Sequence, residues 1–481
     1  MKKSFTRILA LLLVCFVFSA CSDDQTDDTT QVTAVADSEF QLPTYDFDNH
    51  AFYILSVGRN ENSNDFLYKE ENPSVLDAAT ERRNKSVEAL YNIKIVSEQQ
   101  NTTANYQSPE AFSALVREAT AGDTNYDLCV IPGYDVCRLA CQGYLTDLHT
   151  LPYFDGEQEW YDQKANEAFT FANKLYFTTG DSGVSMMNQT FCIAFNKKLA
   201  EEYQLEDMYE LVNSNQWTLE KMYDISKKVA SDTNGDGETD VYGTMYWVDA
   251  AYGIVNGAGQ RSVVLNPDTL NMELALNSET THNVLEDFAE MVLNPEVSIK
   301  YQHNSKAKEY IEVFSGNHAL FFMTTIGKLS EFRDMETDYG ILPYVMYKSE
   351  QQEYCNTVSP FNAVYTCVPL VMENRERTSA VMEAIGYYSK EYIIPAYYDK
   401  TLNGQYVRDS ESAKMLDIIF DTRAYDLGYM FQPAQLPENM LFMIRDGVFD
   451  WSSRYSALEI PAQNFLNFYS ESYRKTVNIT E

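Results

Sequence analysis

Tyr134 and Asp135 stand side by side after an apolar run and a Pro-Gly break, in the stretch YDLCVIPGYD. A phenol ring offers an apolar face and a carboxylate accepts hydrogen bonds, so the pair suits a small polar molecule with a flat hydrocarbon side. A loop tyrosine and a helix N-cap aspartate explain the same two residues structurally. A second constellation is DTNGDGETD, where Asp232, Asn234, Asp236 and Asp240 fall at alternating oxygen positions around Gly237. That spacing wraps a hard cation such as calcium. The twelfth position is Gly243 rather than a bidentate glutamate, so a structural calcium and an Asp/Asn/Gly-rich turn without metal both stand. No cofactor is otherwise required. The sequence has no G-x-S-x-G, H-E-x-x-H, P-loop or G-x-G-x-x-G pattern, and its five histidines are scattered, which argues for binding rather than catalysis.

The elements that must position these residues alternate. Ala51 to Val57 reads as a strand, Val75 to Tyr91 as an amphipathic helix, Ile93 to Ser97 as a strand, Pro109 to Thr120 as a helix, and Leu128 to Ile131 as a strand. The last does not alternate, as expected of a strand covered on both faces of a parallel sheet. A loop from Pro132 to Asp135 should then lie at its carboxyl end, where open α/β sheets bind ligands, and Arg59, Asn60 and Glu61 after the first strand should open onto the same crevice. Further along, Asn173-Lys174 is a turn, Gln189 to Phe195 a strand, and Thr218 an N-cap with Trp217 as its structural neighbour. Gly316 to Met323 reads as another strand, with Thr324 and Thr325 at its end.

The chain of 481 residues, 45% hydrophobic and 14% aromatic, is long enough for one large or two ordinary cores. Its formal charge of −35 excludes nucleic acid and anionic membrane surfaces as partners that depend on basic patches. Lys2, Lys3 and Arg7, the apolar run Ile8 to Phe18, and Ser19-Ala20-Cys21 form a signal of the bacterial lipoprotein type, in which Cys21 becomes the lipidated first residue. Residues 22–45 are acidic and threonine-rich, a flexible tether. The body is expected to sit outside the cytoplasm, anchored by lipid to the cell membrane. Cys129 and Cys192 lie in apolar runs and read as buried small hydrophobes; the cysteine spacings fix no disulfide pairing.

The series YDLCVIPGYD, LTDLHTLPYFD, NKLYFTTGD, FCIAFNKKLAEEY, WTLEKMYDISKKV, DTNGDGETDVYG, FSGNHALFFM, DYGILPY and RDSESAKMLDII resembles the extracellular solute-binding proteins of family 1 from about Phe52 onward. Those are sugar-binding lipoproteins of ABC importers. The resemblance implies an α/β, two-lobed periplasmic-binding-protein-like fold of type II, each lobe a mostly parallel sheet flanked by helices. Lobe 1 would comprise residues 46–179 plus about 359–409, and lobe 2 residues 180–358 plus about 410–481, with a hinge over Thr178 to Gly183. It implies a monomer that captures a carbohydrate between its lobes and delivers it to permease subunits. Carried onto this chain, the ligand-binding set is Arg59, Asn60, Glu61, Tyr134, Asp135, Asp181, Tyr246, Trp247, Thr324, Thr325 and Trp451. Ordinary core packing competes for Trp247 and Trp451. Two alternatives stand: a lipid-anchored glycoside hydrolase, for which 71 acids leave room for a carboxylate pair, and a helical glycan-binding lipoprotein of the starch-utilisation type, which shares the signal, tether and aromatics. The β-α alternation argues against the second.

Overall fold

Leu55, Ser56 and Val57 are consecutive and all buried, as a strand covered on both faces requires. They lie in β1 (His50–Gly58), in a computed structural model that describes residues 41–58, 64–101, 109–302, 310–400 and 407–477. Arg59, Asn60, Glu61 and Cys21, with the whole signal stretch, lie outside the described residues. Together with β2 (Ile93–Asn101), β3 (Leu128–Pro132), β4 (Phe177–Thr178) and β13 (Val364–Cys367), β1 builds a five-stranded sheet in the order β2-β1-β3-β13-β4. β1 is parallel to β2 and β3, whereas β13 is antiparallel to β3 and to β4.

A second sheet repeats the plan. It consists of β5 (Phe191–Asn196), β6 (Tyr242–Tyr246), β9 (Ser298–Lys300), β10 (Ala319–Thr325) and β11 (Tyr339–Leu342), ordered β9-β6-β10-β5-β11. β5 is antiparallel to both neighbours, and the remaining pairings are parallel. Both sheets are therefore mixed rather than mostly parallel. The reason is topological: the reversed strand in fourth place, β5 or β13, is the one that enters its sheet directly from the other. All six residues of β5 are buried, with Phe191, Ile193 and Phe195 in one core and Cys192 and Ala194 in another across the sheet. A hairpin of β7 (Val263–Asn266) and β8 (Asn271–Leu274) and a short parallel ribbon of β12 (Asn356–Thr357) and β14 (Arg423–Ala424) complete the strands.

Local chemistry sets the helix ends. Ser74 caps the helix Val75–Tyr91 in a reciprocal capping box with Asp77, and Asn92 closes it in the left-handed region. Thr218 caps Leu219–Val229, and Trp217 before it is fully buried, its Nε1 donating to the Pro343 carbonyl at 2.9 Å. The turn expected at Asn173-Lys174 has Ala172 and Asn173 as its central residues, both with positive φ. The expected loop after β3 is absent: the strand ends at Pro132 and the helix Gly133–Cys141 begins at the next residue. Gly133 permits this, because a Cβ there would stand 2.7 Å from Pro360 Cβ. Cys129 and Cys192 are fully buried free thiols. Among the described residues no helix is long and apolar enough to cross a membrane.

The first passage from one sheet to the other follows β4 and is clamped by Arg83. This fully buried guanidinium donates to the carbonyls of Asp65 at 2.6 Å and Ser182 at 2.7 Å, and to Ser389 Oγ at 3.3 Å. The Asp65 carboxylate accepts from Val184 N, and a Cβ on Gly183 would collide with it at 2.0 Å. Burial pushes the Asp65 carboxyl up to about 6 and the Arg83 guanidinium down to about 10.

Candidate ligand-binding cleft

Trp247 follows the last residue of β6, Tyr301 and Gln302 follow β9, and Thr324 and Thr325 end β10, so three parallel neighbours deliver side chains at their carboxyl ends. All five line one cleft of about 1170 Å³, above the roughly 300–1,000 Å³ usual for small-molecule sites. The first sheet contributes Tyr134, in the first turn of the helix that leaves β3, and Ser359, Phe361 and Asn362, which lead into β13. Asn188 and Gln189 come from the passage into β5. The C-terminal helices Leu427–Phe431 and Glu438–Asp446 close the remaining side with Tyr429, Glu438, Phe442 and Arg445.

Aromatic faces and polar groups alternate around this wall. The Trp247 ring leans on Phe191 at 4.9 Å and its Nε1 donates to the Tyr344 hydroxyl at 3.4 Å. Tyr429 is stacked on Tyr252 with ring centroids 3.8 Å apart, and its hydroxyl donates to Asp249 Oδ2 at 2.6 Å. Lys328 Nζ donates to the Tyr310 hydroxyl at 2.5 Å and to Glu331 Oε1 at 3.0 Å. Arg445 Nε is engaged by Asp446 at 2.9 Å. Among the described residues, Thr324 Oγ1, Asn362 Oδ1 and the carboxyl oxygens of Glu438 are buried on the wall without a partner in good hydrogen-bond geometry. Asn362 Oδ1 can only accept, and the Glu438 carboxyl leaves at least one oxygen open to accept.

Of the residues singled out by sequence, Tyr134, Trp247, Thr324 and Thr325 meet in this cleft. Arg59, Asn60 and Glu61 lie outside the described residues, and the four remaining candidates do not line it. Asp135 is buried within the first turn of Gly133–Cys141. Tyr246 is the last residue of β6 and, one residue out of phase with Trp247, turns into the core. Trp451 is 3% exposed, edge-on to Tyr455 at the start of the helix Trp451–Thr476 in that same core. Asp181 is half-buried in the sheet-to-sheet passage, where burial raises its carboxyl to about 7 against the opposing charges of Lys390 and Arg423.

Sequence reading missed Tyr301, Asp249, Tyr429 and Glu438. The first two carry a strand-end signal, since Asp249 lies two residues beyond Trp247 and Tyr301 directly follows the short β9. Tyr429 and Glu438 sit on late helices with no such mark.

In the loop from Asp232 to Asp240 the oxygens bond within the loop. Asp232 accepts from the backbone N–H of Asn234, Gly235 and Gly237, and Asp240 from Thr233 and Asn234. These bonds hold both carboxyls below the usual range. Among the described residues no group of three or more His, Cys, Asp or Glu side chains is placed to hold a metal. A separate apolar cavity beside Cys137, Phe171 and Tyr473 measures only about 50 Å³.

No protein-family model matches the sequence, and no curated protein matches it. Solved structures do match. The maltose-binding periplasmic protein MalE of Listeria monocytogenes, in complex with maltose, aligns at 14% identity with a TM-score of 0.58, covering 88% of this chain and 99% of its own. UspC of M. tuberculosis aligns at 12% identity and a TM-score of 0.59, over 86% of this chain and 100% of its own. The GacH receptor of Streptomyces glaucescens, studied unliganded and with acarbose, aligns at 13% identity and a TM-score of 0.53, over 90% and 100%. The chain has the two-lobed α/β fold of these solved structures.

Proposed function

We propose that the protein is a carbohydrate receptor, the extracytoplasmic solute-binding component of an ABC importer, which holds an oligosaccharide in the cleft between its lobes. The observation that carries this reading is the wall itself: unpartnered buried acceptors at Glu438 and Asn362 interleaved with the rings of Trp247, Tyr301 and Tyr429. A sugar supplies both complements, since its hydroxyls donate to the acceptors and its C–H faces cover the rings. The fold shared with a maltose-bound and an acarbose-bound protein supports it. In this reading the chain acts as a monomer, Cys21 carries a lipid anchor, residues 22–45 tether the body, and membrane permease subunits take the sugar from the closed form.

The cleft wall does carry two carboxyls, Asp249 and Glu438. A hydrolase sets its acid and its base apart, whereas burial raises both of these, Glu438 to about 8. Binding without chemistry fits better. The test is a thermal-shift screen of purified protein against mono- and oligosaccharides, followed by chromatography of any hit. A tight ligand must raise the melting temperature by mass action and return uncleaved. A panel in which no sugar shifts the transition would sink the carbohydrate reading, and cleaved product would sink the receptor.

A further inference from the structure

Glu438 is 6% exposed and lines the cleft, and among the described residues neither of its oxygens has a partner in good hydrogen-bond geometry, the neutral Gln432 and Tyr252 side chains lying beside it. Asp249, at the start of the helix Ala250–Gly257, lines the same cleft close enough to repel it, and accepts the hydroxyl of Tyr429, which is stacked on Tyr252. Among the described residues neither carboxyl has a cation. The two cationic side chains on the described wall, Lys328 and Arg445, are already engaged by Glu331 and Asp446. Two buried carboxyls with no counter-ion cannot cheaply both be charged, so Glu438 keeps its proton, and a neutral diol would hydrogen-bond the pair without changing that. An ammonium group brings three N–H donors and one positive charge to the same place.

Resting on the carbohydrate reading above, we propose that Glu438 and Asp249 form an amine-binding subsite, so that the sugar captured in the cleft is an amino sugar with a free, protonated amino group. The groups that face Glu438 agree: Gln432 and the Tyr252 hydroxyl beside it are neutral, Asp249 is acidic, and Arg445, two turns along the same helix, is held by Asp446. Burial, with Asp249 nearby, pushes the Glu438 carboxyl up to about 8, so it is protonated at neutral pH before ligand arrives. An incoming ammonium group favours the carboxylate, and the displaced proton goes to the buffer.

The experiment is titration calorimetry near pH 7, in two buffers of different ionisation enthalpy, with a glucosamine trimer, its N-acetylated counterpart, maltotriose and spermidine. The glucosamine trimer is expected to bind about tenfold or more tighter than either neutral trimer and to release a proton. In Glu438→Gln its preference over the neutral trimers should collapse, and Asp249→Asn serves as the second variant should Glu438→Gln fold poorly by its melting curve. A neutral trimer that binds as well as the aminated one overturns the amine subsite and leaves the carbohydrate reading intact. Spermidine binding with no sugar binding overturns the carbohydrate reading itself. Binding by none of the four overturns the amine subsite.

Discussion

Trp247 and Trp451 are the same residue type in opposite settings. Trp247 lies half-buried on the cleft wall, while Trp451 is sealed in the core. Trp247→Ala is expected to weaken sugar binding by about tenfold while the fold persists, and Trp451→Ala to cost roughly 3–5 kcal/mol of stability, read by calorimetry and chemical denaturation respectively. The reverse pattern would exchange their roles. Glu383 gives a test in pH. It is fully buried and accepts from the Tyr161 hydroxyl at 2.6 Å, and burial raises its carboxyl from 4.5 to about 8. Between those values the unfolded chain loses the proton and the folded chain keeps it, so stability falls as pH rises through that window. Glu383→Gln should therefore narrow the gap in melting temperature between pH 5 and pH 8, and an unchanged gap would remove Glu383 as a cause. Legibility at this scale followed position along a strand. Thr324, Thr325 and Trp247 were readable because apolar runs end beside them, whereas Glu438 gains its character from burial by distant helices that no local pattern announces.

At the scale of elements, Arg83 decides how the passage after β4 is held. Arg83→Met would leave the carbonyls of Asp65 and Ser182 buried without donors, and a loss of about 2–4 kcal/mol in denaturant unfolding is expected. A loss within the error of the fit would mean that the clamp is dispensable. Calcium at Asp232, Asn234, Asp236 and Asp240 requires carboxylates to turn from the N–H groups they now accept. The expected outcome is one melting temperature in calcium and in chelator; a chelator-sensitive transition would establish the metal. Elements were legible where end signals are chemical, as at Thr218, which the structure uses as a cap. The loop after β3 was not, because only contact between Gly133 and the distant Pro360 lets the helix start at once.

For the whole molecule, the cleft draws its walls from both sheets, so ligand contacts should pull the two together about the passages that join them. Small-angle scattering is expected to give a smaller radius of gyration with a saturating ligand than without, and equal radii would rule out closure. The alternation of strands and helices made the α/β class readable from sequence, but not the reversed β5 and β13, since strand direction is set by which sheet the chain has just left. Those reversed strands carry a consequence for how the molecule comes into being. β3 and β4 do not touch; β13 alone joins them, and it arrives more than 180 residues after β4. The first sheet is thus incomplete until residue 367 of 481 has been made, and its final pairing closes a very long loop, which predicts slow folding. A chain stopped before Val364 would not be half a working protein, but a sheet with a gap through its middle.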